Sequence, residues 1–445
     1  MAAKFWANWS FTDSSTYLGF FIYALFIFST FSIAGSEASI FFIYLISLWR
    51  FIRKKGLGYK HWLIWPVIIY MNLTVLSGYF NGYPGIDHLF SAQTNWRLLL
   101  PFVLAIAILE IDQQKLIRFL FVPLLLVSLY GIIQYFTGAD WLRSPERRLT
   151  TVYYTAADGT QFFHGKGNFT HHLTYGGYLL LLFPLFSLLA TVKDLSTKWR
   201  WFYGLGSVVM LAGTISSLGR SIWLGILMVF WIWLFRISKI LGIATLIIGL
   251  GLGGWIAQQV FSGGTKNWQI RDNALVQRLT SAVDVAANKD RLLMWDSGVQ
   301  GIQDHLLWGI GYGNDKNVMD RYRIPLAEKN NHRFNNSASA GVHNIYLQTW
   351  LNYGILGFLA YLGIVFGFLL TCILSLRRVE ASSWEGAIFW GALAGVSGFM
   401  VAGVFENNFR DGEVQTAFLM LMGLPKNTSA IEKRLKIIGE LQESS

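Results

Sequence analysis

Charge is what this chain has least of. Only 14% of its 445 residues are Asp, Glu, Lys or Arg, while 53% are hydrophobic; an average soluble domain carries about 25% charged residues. Those proportions exclude an ordinary soluble core and define a polytopic membrane protein. Cysteine is nearly absent. The one thiol, Cys372, lies in an apolar run, so no intrachain disulfide can form and packing is its expected role. No C-x-x-C, H-E-x-x-H or closely spaced carboxylate cluster occurs, so neither a metal nor a cofactor is expected. Residues 1–15 lack a basic start and an A-x-A-like site, so the first apolar helix is expected to stay in the mature chain. No internal repeat, low-complexity tract or boundary that would release a soluble domain is found.

What the chain has in quantity is apolar segments, roughly 20 helical residues being enough to cross the hydrocarbon of a bilayer. About twelve can be read, which predicts an all-α polytopic bundle. Residues 1–260 hold the first nine, at about 17–34, 36–52, 62–80, 97–109, 116–136, 172–191, 201–217, 221–236 and 240–260. SIAGSEAS is read as the loop joining the first pair. Basic connections such as RFIRKKGLGYK and KDLSTKWR alternate with less basic ones, so the positive-inside rule and parity agree on a cytoplasmic N-terminus. That rule also accounts for most of the net charge of +11, which in a soluble protein would suggest nucleic acid. No nucleic-acid partner is expected.

A longer connection, about 137–170, falls on the periplasmic side. Its TVYY and TQFF runs flank Asp158-Gly159, the pattern of a small β-hairpin. Residues 261–342 form a large segment on the same side with nearly balanced charge, hence a folded, solvated unit. Residues 343–424 hold the last three spans, the first of them interrupted at Asn352–Gly354. Residues 425–445 read as a basic amphipathic helix on the inner leaflet.

The stretch from Lys289 to Gly357 gathers the unusual features. Arg291, Trp295 and Val299 recur at helical spacing, with Ile302 on the same face. The helix stops at GIGYGN, where Gly309, Gly311 and Gly313 can take positive φ. After a polar run, His343 and Asn344 stand where a membrane helix meets water. A histidine, with an ordinary pKa of about 6.5, can accept a proton from a hydroxyl near neutral pH, or it can simply start a helix. Asn344 either positions a ligand or caps that helix. Arg220, in the tight SSLGR turn between two spans, either snorkels to lipid phosphate or waits for an anion. Two arginine forks converging on one site suit a pyrophosphate; Arg147, Arg148 and Arg410 are further candidates for that cluster. Arg291 taken alone reads as a partner of Asp290 or Asp296. Trp295 either packs or stacks under a sugar ring, and His171 and His172 are either site residues or structural.

These pieces together resemble the Wzy_C family of bacterial membrane glycosyltransferases, which contains O-antigen ligases, O-antigen polymerases and bacterial protein O-oligosaccharyltransferases. The matching pieces are Arg291 with Trp295, HLLWGIGYGN, HNIYLQTWLNYGILG, SSLGRSIW around Arg220, and GKGNFTHHLTYGGYLLLLFPL. The resemblance covers about Gly165 to the end, and the N-terminal third matches only in hydropathy. It implies a GT-C-type bundle in the bacterial inner membrane, with the periplasmic segment closing a cavity. Its donor would be a glycan on undecaprenyl pyrophosphate, its acceptor a sugar hydroxyl of lipid A–core, with membrane lipids around both.

The implied roles are His343 as general base and Arg220 and Arg291 as the pyrophosphate clamp, in an inverting transfer that needs no metal. The His171–His172 pair would lie at the mouth of the cavity. A ligase is expected over a polymerase because only the later periplasmic segment is large, and over a protein oligosaccharyltransferase because the chain ends shortly after its last helix. A lipid-linked sugar transporter would place charges near the bilayer midplane, whereas these cluster at one face.

Overall fold

The computed structural model describes residues 14–53, 62–81, 95–142, 152–155, 159–261, 285–334 and 341–425. The first helices are α1 (Ser14–Phe31), α2 (Ile33–Ile52) and α3 (Ile64–Phe80); a 3-10 turn, Asn95–Leu99, then leads into α4 (Leu100–Ala107) and α5 (Gln113–Thr137). Strands β1 (Val152–Thr155) and β2 (Gln161–Phe163) precede α6 (His172–Leu189), α7 (Thr197–Ser216), α8 (Arg220–Ile237) and α9 (Lys239–Phe261). Then come α10 (Val285–Asp304), α11 (Asp315–Val318), α12 (Asp320–Lys329), α13 (Ile345–Leu376), α14 (Trp384–Ala402) and α15 (Gly412–Gly423). Among the described residues six helices, α2, α5, α6, α8, α13 and α14, are long and apolar enough to cross a membrane, and shorter apolar helices stand beside them.

The strands pair antiparallel with Thr155 opposite Gln161, as the alternation predicts. The segment SIAGSEAS, by contrast, is not a loop. Only Ser32 falls between α1 and α2; its hydroxyl accepts the Gly35 N–H at 3.0 Å and caps α2. Ser36 and Ser39 donate to the carbonyls of Ser32 and Gly35 at 2.9 and 2.7 Å. Hydroxyls satisfied by their own helix need no water, so a polar run continues as helix.

The central post is α6, which is buried along nearly its whole length, so protein and not lipid surrounds it. It packs on α7, α8, α14 and α15. Gly395 of α14 lies so close to Leu181 of α6 that a methyl group there would overlap the Leu181 carbonyl, the kind of backbone approach that joins helices in lipid. On the outer flank, α9 presents Ile240, Ile247, Ile248 and Leu250 and packs mainly on α8.

The interruption in α13 is at Gly354, with φ 69° and ψ −177°. Backbone groups freed inside a membrane helix need partners from the protein, and the loop after α10 supplies them. Ile310 donates its N–H to the Leu351 carbonyl at 2.7 Å, Gly311 to Asn352 at 3.0 Å, and Ile355 to Leu306 at 2.9 Å. Gly309, Gly311 and Gly313 take φ of 68°, 82° and 82°, as expected for GIGYGN. The Ser77 hydroxyl of α3 lies 2.6 Å from the Trp308 carbonyl and 2.8 Å from that of Asn352. The two motifs on either side of the polar run are therefore one joint.

Of the four residues that the spacing places on one face of α10, only Ile302 is buried where α10 meets α13. Gly298 faces Val342, Gly301 faces Leu351, and Met294 and Ile302 are buried beside them. Arg291 and Trp295 sit on the flank, and Val299 is 41% exposed. Two glycines bring the helices together more closely than a Trp/Val face would allow.

Candidate functional site

His343 sits immediately before α13 and has φ 48°, a left-handed conformation that costs a residue with a Cβ about 1–2 kcal/mol. The surroundings hold it there. On one side, Val342 donates its N–H to Gln348 Oε1 at 2.8 Å, while Gln348 Nε2 donates to Asp315 Oδ1 at 2.9 Å and Asn352 Oδ1 at 2.8 Å. On the other, Asn344 Oδ1 accepts the N–H groups of Tyr346 and Leu347, both at 2.9 Å, and Ile345 donates to the Gly403 carbonyl at 2.8 Å. Asn344 is thus the helix cap, and Gln348 is the buried clasp behind His343.

The ring of His343 is placed beside a carboxylate that sequence reasoning missed. Its Nδ1 lies 3.4 Å from Glu406 Oε2, and Arg291 Nη2 donates to Glu406 Oε1 at 2.7 Å. Glu406 is buried on the turn after α14. The other ring nitrogen, His343 Nε2, is buried with no hydrogen-bond partner among the described residues. A carboxylate facing Nδ1 favours the tautomer in which Nε2 is the free acceptor.

This histidine lines an open cavity of about 280 Å³ whose walls include His171, Thr174, Glu406, Arg410 and Asp411. His171 caps α6, its Nδ1 accepting the Leu173 N–H at 3.3 Å. Burial lowers the His171 pKa; the His343 ring acts in the same direction and Glu406 against it. The His171 ring packs at a tilt against His172, 4.4 Å between centroids, and His172 likewise against His164 at 4.1 Å. Burial pushes the Asp411 carboxyl up to about 6, against the Thr174 hydroxyl that donates to it at 2.7 Å, with Glu413 and Glu406 raising it further and Arg410 lowering it.

The predicted site residues divide accordingly. His343, Arg291, His171 and Arg410 converge on the cavity or on its Glu406 wall. Arg410 is exposed, with its guanidinium 5.8 Å from the centre of the Tyr312 ring. Arg220 opens α8 two residues after Leu218, which has φ 55°. The turn containing it is tied to the hairpin by His164 Nδ1, 3.1 Å from the Ser217 carbonyl. Arg220 therefore stands at the same end of the bundle, although it does not line the cavity. Trp295 packs on Phe405 with centroids 5.6 Å apart, next to Glu406. Arg147 and Arg148 lie outside the described residues. Among the described residues no group of three or more His, Cys, Asp or Glu side chains is arranged to hold a metal ion.

The only local sign of Glu406 is an acid a few residues after an apolar helix, in ENNFRDG, a turn that also carries Asp411. The arrangement suits removal of a proton from a hydroxyl beside a cationic subsite. A family model described as Wzy_C, O-antigen ligase, matches residues 205–362, a run that contains Arg220, Arg291, His343 and the break in α13 at Gly354. No curated protein matches the chain.

Proposed function

We propose that this chain, whose residues 205–362 match the Wzy_C O-antigen ligase family model, is a GT-C-type glycosyltransferase of the bacterial inner membrane. It transfers a polysaccharide from undecaprenyl pyrophosphate to a sugar hydroxyl of lipid A–core, at the periplasmic end of a bundle of about twelve spans. The family supports ligase- or polymerase-type chemistry in lipopolysaccharide synthesis. The observation that carries the catalytic reading is His343, whose ring lines the cavity with Nδ1 facing Glu406 and with Nε2 buried and, among the described residues, unpartnered.

In this reading His343 Nε2 takes the proton of the acceptor hydroxyl as its oxygen attacks the anomeric carbon. The bond from that carbon to the pyrophosphate oxygen breaks on the opposite face, and the electron pair leaves with the lipid pyrophosphate. Configuration is inverted. Arg220 and Arg291 stabilise the charge that develops on the leaving group, and Glu406 keeps the imidazole oriented, as a carboxylate does for a catalytic histidine.

The test is lipopolysaccharide from a deletion strain on a gel, paired with transfer by the purified protein in excess EDTA. A ligase leaves lipid A–core bare while lipid-linked polymer persists, and it works with chelator present. Accumulation of single repeats would assign the polymerase reaction, and activity that returns only with Mg²⁺ would refute the metal-free clamp.

A further inference from the structure

Glu406 is bonded to the arginine that the donor needs. Its Oε1 accepts from Arg291 Nη2 at 2.7 Å, a full charge-assisted hydrogen bond, whereas its Oε2 stands 3.4 Å from His343 Nδ1, beyond the usual range for a hydrogen bond of this kind. The pair is shielded, with side-chain exposures of 23% for Arg291 and 6% for Glu406, so solvent screens it weakly. As it stands, the carboxylate occupies the arginine and only approaches the histidine.

The other charged or titratable groups at this wall are Arg410 and Asp411 on the same turn and His171 on α6. With Arg291 set against Glu406 and Arg410 beside Asp411, the site is close to electrically balanced before any ligand arrives. A pyrophosphate brought to Arg291 meets Glu406 as a like charge. A pyrophosphate diester carries a negative charge on each phosphorus and offers several oxygens to the fork, against the single charge of a carboxylate, so it is the stronger claimant.

We propose that Glu406 is an internal stand-in for the donor pyrophosphate: donor binding displaces it from Arg291, and the released carboxylate closes onto His343 Nδ1. Glu406 is then a positioning residue acting through both partners. It holds Arg291 while the site is empty, and it orients the base once the leaving group is in place. No covalent bond is made or broken in the exchange; one ion pair replaces another, and the free-energy difference is set by the competition for one guanidinium. The inference rests on the pyrophosphate-clamp reading above.

The experiment uses the full chain in detergent or nanodiscs, with undecaprenyl pyrophosphate as the binding probe and glycan transfer as the second readout. Glu406→Gln removes the competing charge. It should bind the probe about tenfold more tightly than wild type, the gain expected when a site occupied nine-tenths of the time by its own side chain is set free. Turnover should fall by roughly 10²–10⁴-fold, the upper end being the cost of the same carboxylate-to-amide change beside a catalytic histidine. The gain in affinity should vanish in Arg291→Ala/Glu406→Gln relative to Arg291→Ala.

Tighter binding with slower turnover is not the signature of a damaged fold, which lowers both. Glu406→Asp, one methylene too short to bridge both partners, provides the second variant and should shift both readouts in the same directions. Unchanged or weaker binding by both variants, with wild-type melting temperatures, would overturn the exchange while leaving the clamp standing. If wild type does not bind lipid pyrophosphate at all, the clamp itself is refuted and the exchange falls with it.

Discussion

Gln348 Oε1 accepts the main-chain N–H of Val342 at 2.8 Å, and the residue this contact fixes is the neighbour of His343. Because the amide group also donates to Asp315 and Asn352, its two ends are not interchangeable. Gln348→Glu keeps the acceptor for Val342 but turns a donor into an oxygen facing Asp315. Turnover should fall by about ten- to a hundredfold, in keeping with a buried like-charge contact beside a positioned base, with donor binding nearly unchanged. Adding Asp315→Asn restores a donor–acceptor match and should recover most of the loss. A double variant no faster than Gln348→Glu would show that the clasp does not act through its polarity.

His343 and the arginines are expected to separate in kinetics. His343→Ala should lose roughly 10²–10⁴-fold in rate, the usual worth of a general base, while lipid pyrophosphate still binds. Arg220→Ala and Arg291→Ala should weaken binding and turnover together, since in the proposed clamp each meets the leaving group in the ground state and more strongly as charge develops. Lysine at either position should rescue only partly, having charge but no planar fork. Loss of binding in His343→Ala with normal binding in both arginine variants would reverse the assignment.

Asp411 gives the site a pH-dependent stability. Burial holds its carboxyl near 6, above the ordinary 3.8, so the folded protein binds this proton more tightly than the unfolded chain does. The group favours folding below about pH 4, and the advantage is lost as pH rises through 6, by on the order of 2–3 kcal/mol in total. Asp411→Asn cannot ionise, and the amide oxygen it introduces still accepts from Thr174. The melting temperature of this variant relative to wild type should climb between about pH 4 and pH 6 and then level off. A difference that stays flat over that range would mean that the Asp411 carboxyl titrates normally.

Topology has its own check. Ser196 and Lys329 are exposed, the first in a basic turn before α7 and the second at the end of α12, and the charge alternation puts them on opposite sides of the membrane. In a cysteine-free background, made simple by Cys372 being the one thiol, Lys329→Cys should react with an impermeant reagent in whole cells and Ser196→Cys should not. The reverse pattern would invert the bundle.

Local signals were legible wherever one segment carried its own explanation. Gly354 and the three glycines of GIGYGN announced a break and a loop, and the hairpin followed from its alternation. What escaped depended on partners far along the chain. Glu406 lies 63 residues from His343 and 115 from Arg291, in a turn that looks like any polar connection until folding brings it under both. Gln348 was a polar residue within an apolar helix, with Asn352 one turn on, and that was a usable sign that the face is buried in protein and not in lipid. The serines of SIAGSEAS misled for the opposite reason, since polar composition mimics a loop when the helix itself satisfies the hydroxyls.

The joint at Gly354 is made almost wholly of main chain, with Ile310, Gly311 and Ile355 donating across it. Contacts of this kind do not read side chains; they read spacing. Exchanging Leu306 or Ile355 for another apolar residue leaves every one of those bonds available, whereas one residue added between His305 and Gly311 shifts the donors out of line with Leu351 and Asn352. At Gly354 itself any side chain would meet the Leu307 carbonyl. The seam that couples α10 to the helix that follows His343 is therefore permissive to substitution at its apolar positions, strict at its glycines, and intolerant of insertion.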